Sequence, residues 1–298
     1  MGRLQVNLLI VGFGSIGKKH FLAASTLGFN IDVLSKSKIA DDGWKVSFVD
    51  KVYKRYDLII ICTPSSNHIS DLFLYEKYTD RILVEKPLTL GPLLDEDLQK
   101  LSSIKSKVYV AYNIRFLPVV KELKSIINEE GLNYVRLEFL DDCRRWYPDK
   151  NVNIIYVANP ALGGGSLSTN SHELDYMLYI SSKQVKFSST TEFFGTQSES
   201  DEVAVVEGEL VGEIPFTVKL SIFHKNRVRG GSMRTKMHHY SWNLDEGLIF
   251  RDGKVAYQFL TDYAQSYIDQ LATVLKDKST DLATLQDIIN SNKINMYL

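Results

Sequence analysis

The chain has 298 residues, 44% of them hydrophobic and 24% charged, with 35 Lys and Arg against 36 Asp and Glu for a net charge of −1. At roughly 150 residues per domain the length predicts two domains, and a chain of this size buries enough surface to fold without staples. The balanced charge argues against a nucleic-acid partner, which calls for a basic excess, while leaving room for a local pocket for a small anion.

The two cysteines, Cys62 and Cys143, are too far apart in sequence for zinc-ligand spacing and too few for a disulfide framework. A reducing, cytoplasmic setting with no metal is expected. No stretch reaches the about 18 apolar residues of a membrane span, and the start of the chain lacks the basic-then-apolar pattern of a signal peptide. No membrane partner is expected.

In chain order, Leu4–Val11 is a near-continuous apolar run that predicts a buried parallel strand. A helix over Ile16–Leu27 follows, with Gly28 as its stop. Strands are predicted at Ile31–Leu34, Val46–Val49, Leu58–Cys62, Arg81–Val84 and Lys107–Tyr112, and helices at His68–Tyr78 and Leu90–Ile104. Strands alternating with helices imply βαβ units around a parallel sheet. Beyond Arg115–Pro118 the pattern changes. Helices are predicted at Val119–Ile127, His172–Ile180, Phe259–Leu275 and Leu282–Ile289. Strands are predicted at Tyr134–Leu140, Val185–Phe194, Val203–Val211, Phe216–Phe223 and Met233–Trp242, with Gly212-Glu213, Gly230-Gly231 and Asp245-Glu246-Gly247 as turns. Strand following strand suggests an antiparallel or mixed sheet. The fold class is therefore α/β, with a dinucleotide-binding domain over 1–116 and a second α/β domain over 117–298.

Gly12-Phe13-Gly14-Ser15-Ile16-Gly17 has the form G-x-G-x-x-G between the first strand and the first helix. In that position the glycines permit a tight turn and close approach of the backbone to a pyrophosphate, and the helix N-terminus offers free N–H groups. An acidic residue about 20 residues on would accept from the ribose of NAD. Asp32 lies at that distance but inside its strand, and the strand ends in Ser35-Lys36-Ser37-Lys38. Hydroxyls and lysines suit a 2′-phosphate, which tilts the cofactor from NAD to NADP. Thr63-Pro64 at the end of the fourth strand is placed to sit over the cofactor ribose. His68 nearby reads on its own terms as a helix-start residue. Glu85-Lys86-Pro87 ends the fifth strand, whose carboxyl end faces the ligand crevice in such sheets. Lys86 there reaches nicotinamide and substrate hydroxyl.

Gly163-Gly164-Gly165, the polar run Ser166–Ser171 and then His172-Glu173-Leu174-Asp175 form the second signal. His172 and Asp175 share a helix face, and an imidazole in a crevice is a natural proton acceptor for an alcohol being oxidised. Arg145 and Trp146 in the irregular segment suit an anionic group or a ring; a plain surface loop reads equally well.

This order of motifs resembles the Gfo/Idh/MocA oxidoreductases, the family of glucose–fructose oxidoreductase and inositol dehydrogenase. The matching pieces are Gly12–Gly17, Thr63-Pro64 with His68, Glu85-Lys86-Pro87, Tyr112-Asn113-Ile114-Arg115-Phe116, Gly163–Gly165 and His172–Asp175, so the resemblance spans nearly the whole chain. It implies a Rossmann domain followed by an α/β domain on a large open sheet, mixed and mainly antiparallel. It further implies hydride transfer between NAD(P) and a hydroxyl or keto carbon of a sugar, derivatised or nucleotide-activated, as in surface-polysaccharide synthesis. In the implied site Lys86, His172 and Asp175 carry the chemistry. Gly12, Phe13, Gly14, Ser15, Ile16, Gly17, Ser35, Lys36, Thr63, Pro64, His68, Glu85 and Lys86 hold the cofactor. Tyr112, Asn113, Arg115, Arg145, Trp146, Thr169 and His172 hold the sugar. The exposed face of the open sheet implies a homodimer or homotetramer. Family members often carry Asp four residues before the histidine, where this chain has Ser168. The rival readings are an epimerase or glycosidase that recycles bound NAD, and a non-catalytic dinucleotide-binding sensor.

Overall fold

The computed structural model describes residues 5–36, 44–91, 93, 95–149, 151–152, 155–276 and 280–292, and for 289–292 the main chain only. The chain divides into two units. The first comprises Met1–Thr89, Leu93–Asn113 and Tyr263–Ile289; the second comprises Leu90–Pro92, Ile114–Asp262 and Asn290–Leu298.

In the first unit β1 (Asn7–Val11) leads into α1 (Ser15–Thr26), followed by β2 (Asn30–Leu34), β3 (Ser47–Val49) and β4 (Leu58–Ile61). Then come α2 (His68–Tyr75), β5 (Arg81–Val84), α3 (Asp95–Ser102) and β6 (Lys107–Val110). The sheet order is β3-β2-β1-β4-β5-β6, all parallel, the doubly wound order of dinucleotide-binding domains. Its central strands are continuous apolar runs, with Leu8, Leu9, Ile10 and Leu58–Ile61 wholly buried. That is the composition of strands covered on both faces. Gly28, at φ +76°, stops α1 as read from sequence. The third helix begins later than Leu90, at Asp95, where three acidic residues fill the first turn and meet the positive end of the helix dipole.

The second unit begins with α4 (Pro118–Glu130), which has Pro at its first turn and Gly131 at φ +73° after its end. Its buried residues, Val119, Val120, Leu123, Ile126 and Ile127, recur at helical spacing. Then follow β7 (Tyr134–Asp142), α5 (Ser166–Thr169), α6 (His172–Ser181), β8 (Val185–Phe194), β9 (Asp201–Leu210) and β10 (Ile214–Ser221). The rest of the sheet is β11 (Phe223–Arg234), β12 (His239–Asn243), β13 (Leu248–Arg251) and β14 (Lys254–Gln258). The order is β14-β13-β12-β11-β7-β10-β9-β8; only β7 and β10 pair in parallel. The expected mixed, mainly antiparallel sheet is present.

Two expectations change here. The single strand expected over Met233–Trp242 is a hairpin. Its turn is closed by Thr235, whose Oγ1 accepts from the N–H of His238 at 2.9 Å and of Met237 at 3.2 Å. Gly230-Gly231, expected as a turn, lies within β11: a Cβ on Gly231 would sit 2.2 Å from the Arg136 carbonyl oxygen and 2.6 Å from the Trp242 ring. The continuous 117–298 domain also differs from what is observed. The chain returns to the first unit with α7 (Tyr263–Lys276), β15 (Ala283–Thr284) and α8 (Leu285–Asn292), the last as far as Ile289. There α7 packs on α1, and β15 pairs antiparallel with β6.

Candidate functional site

The glycine turn uses each of its three glycines differently. Gly12 sits at φ +93°, and a Cβ on it would lie 2.6 Å from the Cys62 carbonyl oxygen. Gly17 lets α1 press onto the turn, since a Cβ there would lie 2.3 Å from the Gly12 oxygen. Gly14 has nothing within 4 Å of the same position. Two glycines therefore serve the fold, and the third keeps a surface bare at the helix start. Gly14 caps α1 without a side-chain hydrogen bond, and no acidic residue occupies the first turn. The N–H groups at Ser15 and Ile16 therefore face outward with positive potential, which suits a pyrophosphate. This arrangement fits a dinucleotide. Phe13 contributes main chain only, because its ring is buried edge-on against Phe21, Trp44 and Phe48 at 5.7, 5.7 and 5.8 Å.

At the end of β2, Ser35 is half-buried and Lys36 exposed; Ser37 and Lys38 lie outside the described residues. Asp32 is committed inside the sheet, paired with Lys54 at 2.8 Å and accepting from Tyr56 Oη at 2.9 Å and Ser47 Oγ at 3.1 Å. Burial alone would raise its carboxyl, but these bonds outweigh it and hold it below the ordinary value. After β4, Thr63 Oγ1 donates to Asp71 at 2.6 Å, and Pro64 is exposed.

Beyond β5, Lys86 is half-buried and joined to Pro87 by a cis peptide bond. The residues around it are buried. Glu85 Oε1 lies 2.7 Å from His20 Nε2 of α1, and its Oε2 accepts from the Lys86 N–H at 3.2 Å. Burial would raise the Glu85 carboxyl, but the His20 bond and the charges of His20, Lys86 and His68 hold it low. His68, 1% exposed, has Nδ1 2.8 Å from the Pro87 carbonyl and Nε2 2.9 Å from the Thr63 carbonyl. Two carbonyls ask for two donors, which only the imidazolium has. Burial works the other way and brings the group down, against the pull of both carbonyls, Glu85 and Asp71. His68 and Glu85, expected among the cofactor contacts, are thus interior residues with these bonds to main chain and to His20. His20 carried no signal in the sequence, being one polar residue in a helix with no neighbouring motif. Tyr112 is wholly buried, and Asn113 gives its amide to Ser266 of α7 at 2.7 Å.

In the second unit the glycine turn Gly163–Gly165 precedes α5. Ser168 Oγ donates to the carbonyls of Gly163 at 2.7 Å and Gly164 at 3.0 Å, so the residue in place of the usual Asp fastens the turn. Gly165, at φ +117°, lies over Asp201, whose Oδ2 accepts from the Leu167 N–H at 2.9 Å. Burial pushes the Asp201 carboxyl up to about 6. His172 opens α6 and is half-buried, as is Thr169. Among the described residues Ser166 Oγ, Asn170 Nδ2 and Ser171 Oγ are buried without a hydrogen-bond partner.

Asp175 is engaged elsewhere. Its carboxylate takes a two-pronged bond from Arg115, Nε at 2.8 Å and Nη2 at 2.6 Å, with both side chains buried. Glu173, wholly buried, pairs with Arg229 at 2.8 Å. Sequence reasoning passed over that pair although Glu173 stands next to His172. Arg145 forks onto Asp141 at 3.0 and 2.6 Å and onto the carbonyls of Lys225 and His224, and Trp146 gives its indole N–H to the same Asp141 at 2.7 Å. Asp175, Asn113, Arg115, Arg145 and Trp146, expected as reacting or sugar-holding groups, make the scaffold bonds named here. Among the described residues no helix is long and apolar enough to cross a membrane, and no three His, Cys, Asp or Glu side chains are grouped to hold a metal.

No protein-family model matches the sequence, and no curated protein matches it. Solved structures do match over almost the whole chain. Levoglucosan dehydrogenase in complex with NADH and levoglucosan superposes with a TM-score of 0.81 at 15% identity, covering 97% of this chain and 94% of that one. UDP-N-acetylglucosamine 3-dehydrogenase from Acidithiobacillus ferrooxidans matches at TM-score 0.74 and 13% identity, with 97% and 94% covered. A super-repressor mutant of Gal80p from Saccharomyces cerevisiae matches at 0.78 and 11%, again over 97% and 94%. At such identities the likeness is one of fold. The fold implied by the resemblance to the Gfo/Idh/MocA oxidoreductases is the fold the chain adopts.

Proposed function

We propose that this chain is an NAD(P)-dependent oxidoreductase that moves a hydride between nicotinamide and a hydroxyl or keto carbon of a sugar. The observation that carries the reading is the glycine turn, in which Gly12 and Gly17 are required by packing while Gly14 is kept bare for a ligand. The structural likeness to dehydrogenases, one with NADH and a sugar bound, supports it.

Gly14, Ser15 and Ile16 hold the pyrophosphate through main-chain N–H groups, and Thr63 and Pro64 flank the ribose. Bound nicotinamide supplies or accepts the hydride. Lys86 orients and polarises the reacting oxygen, and His172 takes or gives the proton there. Ser35 and Lys36 tilt the preference to NADP. We read the sugar as derivatised or nucleotide-activated, the class of the UDP-N-acetylglucosamine dehydrogenase that shares the fold, and a surface-polysaccharide role goes with that reading. The open face of the second sheet, with Phe187 and Phe193 exposed on one edge strand, suits a homo-oligomer contact. Cys62 and Cys143 are both free thiols, in keeping with a reducing, cytoplasmic compartment.

A panel of levoglucosan, myo-inositol and UDP-N-acetylglucosamine with NAD and NADP, followed at the reduced-nicotinamide absorbance, tests the reading. Turnover of a panel member supports it, and lack of nicotinamide-nucleotide binding overturns it. A second reading, a dinucleotide-binding regulator, is favoured by the likeness to Gal80p and by Ser168 in place of Asp. It requires nucleotide binding that is indifferent to Lys86 and His172 and no turnover across the panel.

A further inference from the structure

We propose that His20 and His68 are positioning residues for Lys86, together fixing the main chain on either side of it. The proposal rests on the reading of Lys86 as the polarising group.

Lys86 stands between two residues, each tied to a different helix. On one side Glu85 Oε1 meets His20 Nε2 from α1 at 2.7 Å while Glu85 Oε2 accepts the Lys86 N–H at 3.2 Å. On the other, the Pro87 carbonyl meets His68 Nδ1 from α2 at 2.8 Å. The second nitrogen of His68 meets the Thr63 carbonyl at 2.9 Å, at the end of the neighbouring strand. Strands β5, β4 and β1 are adjacent in the sheet. The two histidines therefore link the segments that follow all three: the glycine-turn helix, the Thr63 segment and the Lys86 segment.

Packing alone does not ask for this chemistry. His20 is 0%, His68 1% and Glu85 6% exposed, and apolar residues of similar volume fill such interiors at equal or better stability. What the polar set adds is direction. Two of the bonds hold main-chain atoms at Lys86, its own N–H on Glu85 Oε2 and the Pro87 carbonyl on His68 Nδ1, and the other two brace Glu85 and His68 in turn, so the half-buried side chain leaves a backbone that does not rock. Reacting groups lose rate steeply with misplacement, about a hundredfold for 1 Å.

The test compares His68→Leu, His68→Gln and His20→Leu in the full-length protein saturated with NADH. The probe is a brief acetic anhydride pulse, with mass spectrometry giving acetylation of Lys86 relative to exposed Lys105 of the same sample. Both leucine variants are expected to change that ratio by about threefold or more, and kcat on any panel sugar turned over is expected to fall about tenfold or more with NADH affinity held within about threefold. Restoration of one bond in His68→Gln moves the ratio part of the way back. A wild-type ratio in folded leucine variants overturns the proposal. Should the leucine variants not fold, His68→Gln decides alone: it keeps at most one of the two bonds, and an unchanged ratio overturns the proposal. Turnover of Lys86→Ala judges the underlying reading separately, because the labelling ratio needs no substrate.

Discussion

The surroundings of Lys86 and of His172 are built on opposite plans. Around Lys86 the structure is filled in: Glu85 and His68 are interior groups with their hydrogen bonds made to helix and main chain. Around His172 a glycine turn is fastened by Ser168, and Ser166, Asn170 and Ser171 keep buried polar atoms without a partner among the described residues. Buried polar atoms are ordinarily satisfied by ordered water or ligand when protein supplies none. The first region thus spends most of its polar groups on rigidity, with His20 Nδ1 buried and without a partner among the described residues, and the second holds more in reserve. The second region is fixed by the residue next to His172 and by one a turn along, where Glu173 meets Arg229 and Asp175 meets Arg115.

That contrast breaks most sharply at the ion pair. Arg115→Met takes the two-pronged bond away from the buried Asp175 carboxylate, which costs about 3–5 kcal/mol. A large fall in the midpoint of urea unfolding is expected, and an unchanged midpoint would show the pair to be dispensable. Next comes Lys86→Ala. Turnover is expected to drop about a hundredfold or more while NADH affinity, followed by fluorescence titration, stays within a few-fold. An equal loss of binding and rate would place Lys86 in the cofactor site alone.

The glycine turn sharpens the comparison from a third side. Gly14→Ala is expected to leave the melting temperature unchanged, because its Cβ meets nothing within 4 Å, and to weaken NADH binding about tenfold, about 1.4 kcal/mol. Gly12→Ala should reverse the order, losing stability first, since its Cβ would meet the Cys62 carbonyl at a positive φ. The smallest effect concerns Asp201. Its carboxyl is raised from 3.8 to about 6 in the folded chain, so its contribution to stability is complete below pH 3.8 and fades as pH rises through about 6. At pH 7 Asp201→Asn should therefore raise the melting temperature by about 2–4 °C, and the gain should vanish below pH 4. A gain that persists there would point to a cause other than ionisation.

Much of the first unit was legible because period and punctuation agree. Apolar strands of four or five residues alternate with helices, and Gly12–Gly17 falls at the one junction where its meaning is clear. The second sheet was read less well at the hairpin after Arg234. Its turn, Thr235–His238, contains no Gly, Pro, Asn or Asp and depends on a threonine side chain, whereas the conspicuous Gly230-Gly231 serves close passage of Trp242 and Arg136. The chemistry-bearing types around His172 were visible in sequence, but their roles were not. Nothing local says that Asp175 will meet Arg115 across 60 positions, or that Trp146 and Arg145 will converge on one aspartate. Partnership of that kind is decided by the fold. The likeness between α7 and any other amphipathic helix likewise gives no hint of which sheet it will cover.

The return of α7 and β15 to the first sheet has a consequence for the order of synthesis. A chain emerging from its amino end offers β1 to β6 early, and domains usually fold as they appear. Here the helix that covers α1 and the strand that covers the edge of β6 come only from 263 onward. During translation of the entire second unit the first remains an unfinished sheet with its β6 edge open, a site where stray strand pairing starts. The first unit, first to be encoded, is therefore the last to be completed, and a ribosome that stops short of position 263 releases a chain whose first unit is unsealed.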